Sequence, residues 1–141
     1  MKRIYAILLT LALFVSTAAF VACGNKEELS ETCVIKVDAD VYEITEETTL
    51  LEYMEKLSND GKLTFKSQNG AYGVMIKEIN GLANGLGDNP CWLLYTDDEA
   101  NSDTTWGTYV YEGKTYSSAT LGASSLIVKE GCTYIWHYEQ F

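Results

Sequence analysis

The sequence holds one histidine, one proline, and only 10 lysines and arginines against 20 aspartates and glutamates. Each scarcity removes a class of function. A single histidine leaves none of the two- and three-histidine constellations that serve zinc binding or paired acid–base work. A formal net charge of −10 argues against a nucleic-acid partner, whose phosphates call for a basic face. Gly81, Gly85 and Gly87 do not follow a phosphate-loop pattern, and no Lys-Ser or Lys-Thr comes after them. His137 has no serine or cysteine in a nucleophile motif and reads as a sheet-face histidine. No constellation for catalysis remains, so the chain is expected not to be an enzyme. There is no internal repeat and no low-complexity tract.

What is present fits one folded domain. The chain has 141 residues, which leaves little room for a second, and 47% hydrophobic residues are too many for a disordered chain. The N-terminus reads as an address. Lys2 and Arg3 are followed by an apolar run from Ile4 to Phe14, broken only by Thr10, and then by the small residues Ser16, Thr17, Ala18 and Ala19. That is the order of a secretory signal peptide over residues 1–22; the run is too short to span a membrane. The leader closes on Phe20-Val21-Ala22-Cys23-Gly24, which resembles the lipobox of bacterial lipoproteins, with Phe20 standing where leucine is usual. The resemblance implies lipidation of Cys23 and an extracytoplasmic protein anchored to the cell membrane by lipid. Residues 23–32 then form a polar tether, and residues 33–141 the domain. Without Lys2 and Arg3 the chain keeps 8 basic and 20 acidic residues, a net charge of −12.

In the domain, Cys33–Asp38 reads as a strand with Cys33, Ile35 and Val37 on one face, and Val41–Ile44 as its hairpin return. Thr49 with Glu52 makes a capping box, and Leu50, Tyr53, Met54 and Leu57 follow at helical spacing until Asn59-Asp60-Gly61 ends the helix. Further strands are expected at Leu63–Lys66, Tyr72–Ile79, Trp92–Tyr95, Thr108–Glu112 and Tyr134–Tyr138. Glu112-Gly113 is expected as a tight turn and Asn80–Pro90 as a loop. The order predicts an α+β fold, a β-grasp-like sheet with one amphipathic helix packed across it and the last strand near the first.

Cys33, Cys91 and Cys132 lie in an exported chain, which permits disulfides. If the first and last strands are parallel neighbours, Cys33 and Cys132 sit at one end and pair; Cys33–Cys91 and no bridge are the alternatives. Asp97, Glu99, Asn101 and Asp103 alternate as in the start of a calcium loop, but Ser102 and Thr108 stand where that loop needs Gly and Glu. A solvated acidic loop is the expected reading. Nine tyrosines and tryptophans crowd the stretch from Trp92 to Tyr138. One small sheet face cannot bury them all, so some are expected to form an exposed platform for a flat or apolar ligand or for another protein.

Four segments carry a further resemblance. They are Gly70–Ala83, containing Ile79-Asn80-Gly81-Leu82; Cys91–Tyr95; Trp106–Tyr111, with Gly107 and Tyr111 four apart; and Tyr134–Phe141, with Tyr134, Tyr138 and Phe141 spaced four then three. Together they resemble the C-terminal domain of transcobalamin and intrinsic factor, and more closely its bacterial lipoprotein relatives, a family of uncharacterised domains. The resemblance implies a β-grasp ligand-binding fold and a corrinoid such as cobalamin as the small-molecule ligand, with no resident cofactor or metal. This chain is similar to the small half of those carriers and has no barrel domain. A partner, either a transporter or another surface protein, is the expected company. Tyr72, Met75, Trp92, Trp106 and Tyr109 are the candidate ligand-binding residues. The alternative function is a cell-surface module that binds another protein or a glycan.

Overall fold

Local chemistry starts the one helix. The Thr49 hydroxyl accepts the Glu52 N–H at 3.2 Å, and the Glu52 carboxylate accepts the Thr49 N–H at 2.7 Å. These bonds also pull the Glu52 carboxyl below its usual pKa. Helix α1 then runs Leu50–Asn59, with Leu50, Tyr53 and Met54 buried. The next two free amides of its first turn are met from far along the chain. The N–H of Leu50 donates to Leu126 O at 2.8 Å, and that of Leu51 to Ala123 O at 2.9 Å. Thr49→Ala removes one capping bond and is expected to cost about 1 kcal/mol, read as a lower urea midpoint at unchanged slope.

The computed structural model describes residues 29–140. The signal-peptide stretch, Cys23 and most of the tether lie outside them. The strands are β1 (Thr32–Lys36), β2 (Phe65–Gly70), β3 (Gly73–Ile79), β4 (Leu82–Ala83), β5 (Cys91–Thr96), β6 (Ser102–Tyr111), β7 (Lys114–Ala119) and β8 (Thr133–Glu139). Five make an antiparallel sheet in the order β1-β8-β5-β7-β6, and three make a small sheet β2-β3-β4. Among the described residues the architecture is mostly β with one α-helix, an α+β fold in two sheets. The helix and the small sheet bury the same face of the large sheet. Leu50 and Met54, Ile76 and Ile79, and Ile35, Trp92, Tyr134 and Trp136 form one core. As expected from the alternation, Cys33, Ile35 and Val37 face it together, and so do Tyr134, Trp136 and Tyr138.

Several expectations are corrected. Val41–Ile44 is not a strand: the N–H groups of Val41 and Tyr42 both bond back to Asp38 O, closing a turn. Tyr42 instead packs edge-on against Tyr53 with ring centres 5.5 Å apart, so its burial needs no strand pairing. The first strand takes β8 as its partner, and the two run antiparallel. Cys33 lies opposite Trp136, while the Cys132 carbonyl meets the Val37 N–H at the other end of β1. Four residues of strand, roughly 13 Å, separate the two positions, beyond the span of about 7 Å that a disulfide bridges. The pairing Cys33–Cys132 therefore does not form, and Cys33, Cys91 and Cys132 are free thiols. Burial pushes the Cys33 thiol up to about 11, which keeps it protonated and unreactive.

The acidic stretch is also not simply solvated. Asp97 accepts the Thr133 N–H at 2.7 Å and pairs with Lys114 at 2.5 Å. Asp98 is 3% exposed and bonds Lys129 at 2.6 Å, Asn101 at 2.7 Å and the Ala100 N–H at 3.2 Å. These carboxylates tie the β5–β6 connection to the start of β8.

Candidate functional site

The small sheet covers the large one incompletely. A cleft of about 370 Å³ lies where β3 meets β5 and β8. Met75, Ile76 and Lys77 from β3 form one wall, and Trp92 and Trp136 line it from the large sheet. Gly85 and the Gly122-Ala123 segment complete the lining.

The cleft is pinned open by polar bonds on its flanks. Asn84 bridges the two sheets: its side-chain oxygen accepts the Trp92 N–H at 2.9 Å, and its amide nitrogen donates to Ile76 O at 2.9 Å. Trp92 Nε1 donates to Leu82 O at 2.8 Å, and the Tyr138 hydroxyl to Ala83 O at 2.9 Å. On the other flank the Val74 N–H bonds the Ser124 hydroxyl at 3.1 Å. Gly73 allows that approach. Its φ is +109°, and a Cβ there would sit 2.8 Å from the Ser124 oxygen.

Two features of the lining bear on a ligand. Trp136 is 6% exposed, and its Nε1–H is buried with no hydrogen-bond partner among the described residues. Lys77 is the one charged residue of the lining; its ammonium lies 3.9 Å from the Met75 sulfur and is in no ion pair among the described residues. Met75 in the wall is exposed; Leu86 and Leu121, next in sequence to the lining glycines, are 84% and 43% exposed, and Tyr72 projects fully from the turn before β3.

The five residues expected to bind ligand divide between two places. Met75 and Trp92 line the cleft, and Tyr72 stands three residues from Met75 in the turn that opens its strand. Tyr109 belongs to the opposite face of the large sheet, and Trp106 lies on the edge strand β6, outside the cleft lining. Tyr109 stacks on His137 at 4.1 Å and leans on Tyr95 at 5.7 Å, and its hydroxyl lies 3.2 Å from that of Thr32. That ring is held by its neighbours. The Tyr95 hydroxyl is buried against the Glu139 carboxylate, and both effects push its pKa well up. Trp106 sits in a bulge where the β6–β7 register jumps from Asp103 opposite Ser118 to Thr108 opposite Ser117, and it is 67% exposed.

The expected aromatic platform is thereby corrected. Trp92, Tyr95, Tyr116, Tyr134 and Trp136 are buried, and Trp106 alone of the nine is fully at the surface. Both faces of the large sheet absorb rings, because a second cluster of Tyr95, Tyr116 and Ile135 forms behind it. Sequence reasoning missed Trp136, Lys77 and Asn84. Strand alternation puts Trp136 on the core face, but which part of that face stays uncovered depends on the small sheet. Among the described residues no group of three or more His, Cys, Asp or Glu is placed to hold a metal ion, and no helix is long and apolar enough to cross a membrane. No protein-family model, no curated protein and no solved structure matches this chain.

Proposed function

We propose that the chain is a lipid-anchored, extracytoplasmic binding protein for a small molecule, with the cleft between the two sheets as its site. The observation that carries the reading is the cleft itself. It is concave, walled by Met75, Trp92 and Trp136, has the exposed Met75 at its wall, and is lined by a tryptophan, Trp136, whose buried indole N–H has no acceptor among the described residues. The lipobox-like Cys23 supports the anchor. The β-grasp reading is supported by a helix laid across a sheet whose first and last strands are neighbours. No acid–base pair lines the cleft, so capture rather than turnover is the proposed role. A corrinoid remains the proposed ligand. At about 370 Å³ the cleft lies near the lower end of the roughly 300–1,000 Å³ usual for ligand pockets, so an amide-bearing edge of a corrinoid enters while the ring rests against the exposed Met75.

Titration of the mature chain carrying Cys23→Ser with cobalamin and cobinamide tests this. Saturable quenching of tryptophan fluorescence with released heat is expected, and Trp106→Phe should leave the affinity unchanged. Absence of both signals at high micromolar ligand defeats the corrinoid reading. The second reading, a surface module for a protein or glycan, is favoured by exposed Trp106 and Val110 on β6. Loss of binding in Trp106→Phe would point to that edge strand instead.

A further inference from the structure

We infer that the cleft selects a small planar group carrying a carbonyl-type acceptor together with an anion, the acceptor taking the Trp136 indole proton and the anion pairing with Lys77. This deepens the binding-protein reading and rests on it. The indole N–H of Trp136 is a donor only, and burying it unbonded is unfavourable, so a site that tolerates it is arranged for an acceptor from outside. The acceptors around the cleft are already committed. Leu82 O takes the Trp92 indole, Ile76 O and Lys77 O take Asn84, Ala123 O takes Leu51, and Pro90 O takes Gly85. Among the described residues none of these groups bonds the Trp136 indole.

Charge selects the second group. The chain carries a net −10, yet among the described residues this lining has no carboxylate and one ammonium. Lys66, Lys114 and Lys129 each hold a carboxylate within 2.8 Å, whereas among the described residues Lys77 has only the thioether of Met75 as a side-chain partner. A cation with no ion pair among the described residues, at a cleft of mixed polarity in an acidic protein, focuses anions there. The walls supply the rest: a thioether and two indoles suit the faces and edges of a flat ring.

The experiment follows the three indole N–H resonances of the mature chain carrying Cys23→Ser by ¹⁵N-resolved NMR, with 4-carbamoylbenzoate as the probe, 4-carbamoylphenyl phosphate as the phosphate arm and benzamide as the uncharged control. A saturable downfield shift of the Trp136 indole proton is expected with an anionic probe, with the Trp106 indole unmoved. The stronger of the two anionic probes identifies carboxylate or phosphate. Benzamide should bind about tenfold more weakly, and Lys77→Gln, at a half-buried position, should abolish that difference. Equal binding of charged and uncharged probes, a preference that survives Lys77→Gln, or no saturable shift of Trp136 up to about 5 mM overturns the inference. Trp136 already bonded to a trapped water that no probe displaces also overturns it. Corrinoid quenching alongside failure of every carbamoyl probe sinks this inference alone; probe binding without any corrinoid response sinks only the corrinoid.

Discussion

Leu50→Ala lowers the thermal midpoint by about 12 °C. Leu50 is fully buried at the first position of α1, where the helix wedges between the large sheet and the Ala123–Leu126 segment. Truncation there removes apolar burial and leaves a cavity that the backbone cannot close, because the Leu50 N–H is itself fixed to Leu126 O. Leucine-to-alanine changes at such sites cost about 3 kcal/mol, and a domain of this size loses roughly 4 °C per kcal/mol. The control is Leu51→Ala, a half-buried neighbour with the same backbone anchorage, for which about a third of the effect is expected. Calorimetry of both variants decides the matter. Equal, small shifts of under about 4 °C would mean that the helix rests on the sheet without filling it.

Asp98→Ala is the second large effect, at about 2–4 kcal/mol of stability lost at neutral pH. Its carboxylate is buried, which by itself disfavours the charge, but the Lys129 ammonium, the Asn101 amide and the Ala100 N–H outweigh that cost and hold its pKa below the ordinary value. A depressed folded pKa stabilises the fold fully above the unfolded value of about 3.9 and loses that contribution as pH falls through the lower folded value. Urea midpoints between pH 7 and pH 2.5 should therefore drop for the parent chain below about pH 4 and run flatter for Asp98→Ala. Lys129→Met should cost less than Asp98→Ala, since Lys129 is half exposed and Asp98 keeps two other donors. Parallel pH curves for parent and Asp98→Ala would assign the acid sensitivity to other carboxylates.

These two effects frame the cleft. Leu50 anchors the helix to the strand of chain that ends at Gly122-Ala123 on one side of the site, and the Asp98–Lys129 pair fixes the approach to β8, which carries Trp136. Stability changes at either place are expected to loosen the cleft as well, so binding by such variants is to be measured well below their melting temperatures.

The helix was legible because its determinants are neighbours in sequence: Thr49 and Glu52 cap each other, and the apolar spacing from Leu50 to Leu57 needs nothing distant. The Glu112-Gly113 turn was legible for the same reason, with φ of +48° and +78°. Asn80-Gly81 makes a comparable turn, with φ of +47° and +86°, yet β4 is not legible because two residues between Gly81 and Asn84 carry no strand pattern. Met75 and Trp92 were singled out, and both line the cleft; Trp106 and Tyr109 were grouped with them only because strand alternation says nothing of which faces meet.

What the amino-acid order determined alone is local: an acidic chain with few basic or titrating side chains, one capped helix, a set of β segments and the alternation that puts Tyr134, Trp136 and Tyr138 on one side of the last strand. What only the tertiary structure decided is direction and cover. The antiparallel pairing of β1 with β8 parts Cys33 from Cys132, and the placement of a three-stranded sheet over part of a five-stranded one buries most of the rings and leaves a gap beside Trp136. Both arise from contacts between residues many tens of positions apart, where packing of whole faces, and not any neighbouring residue, sets the outcome.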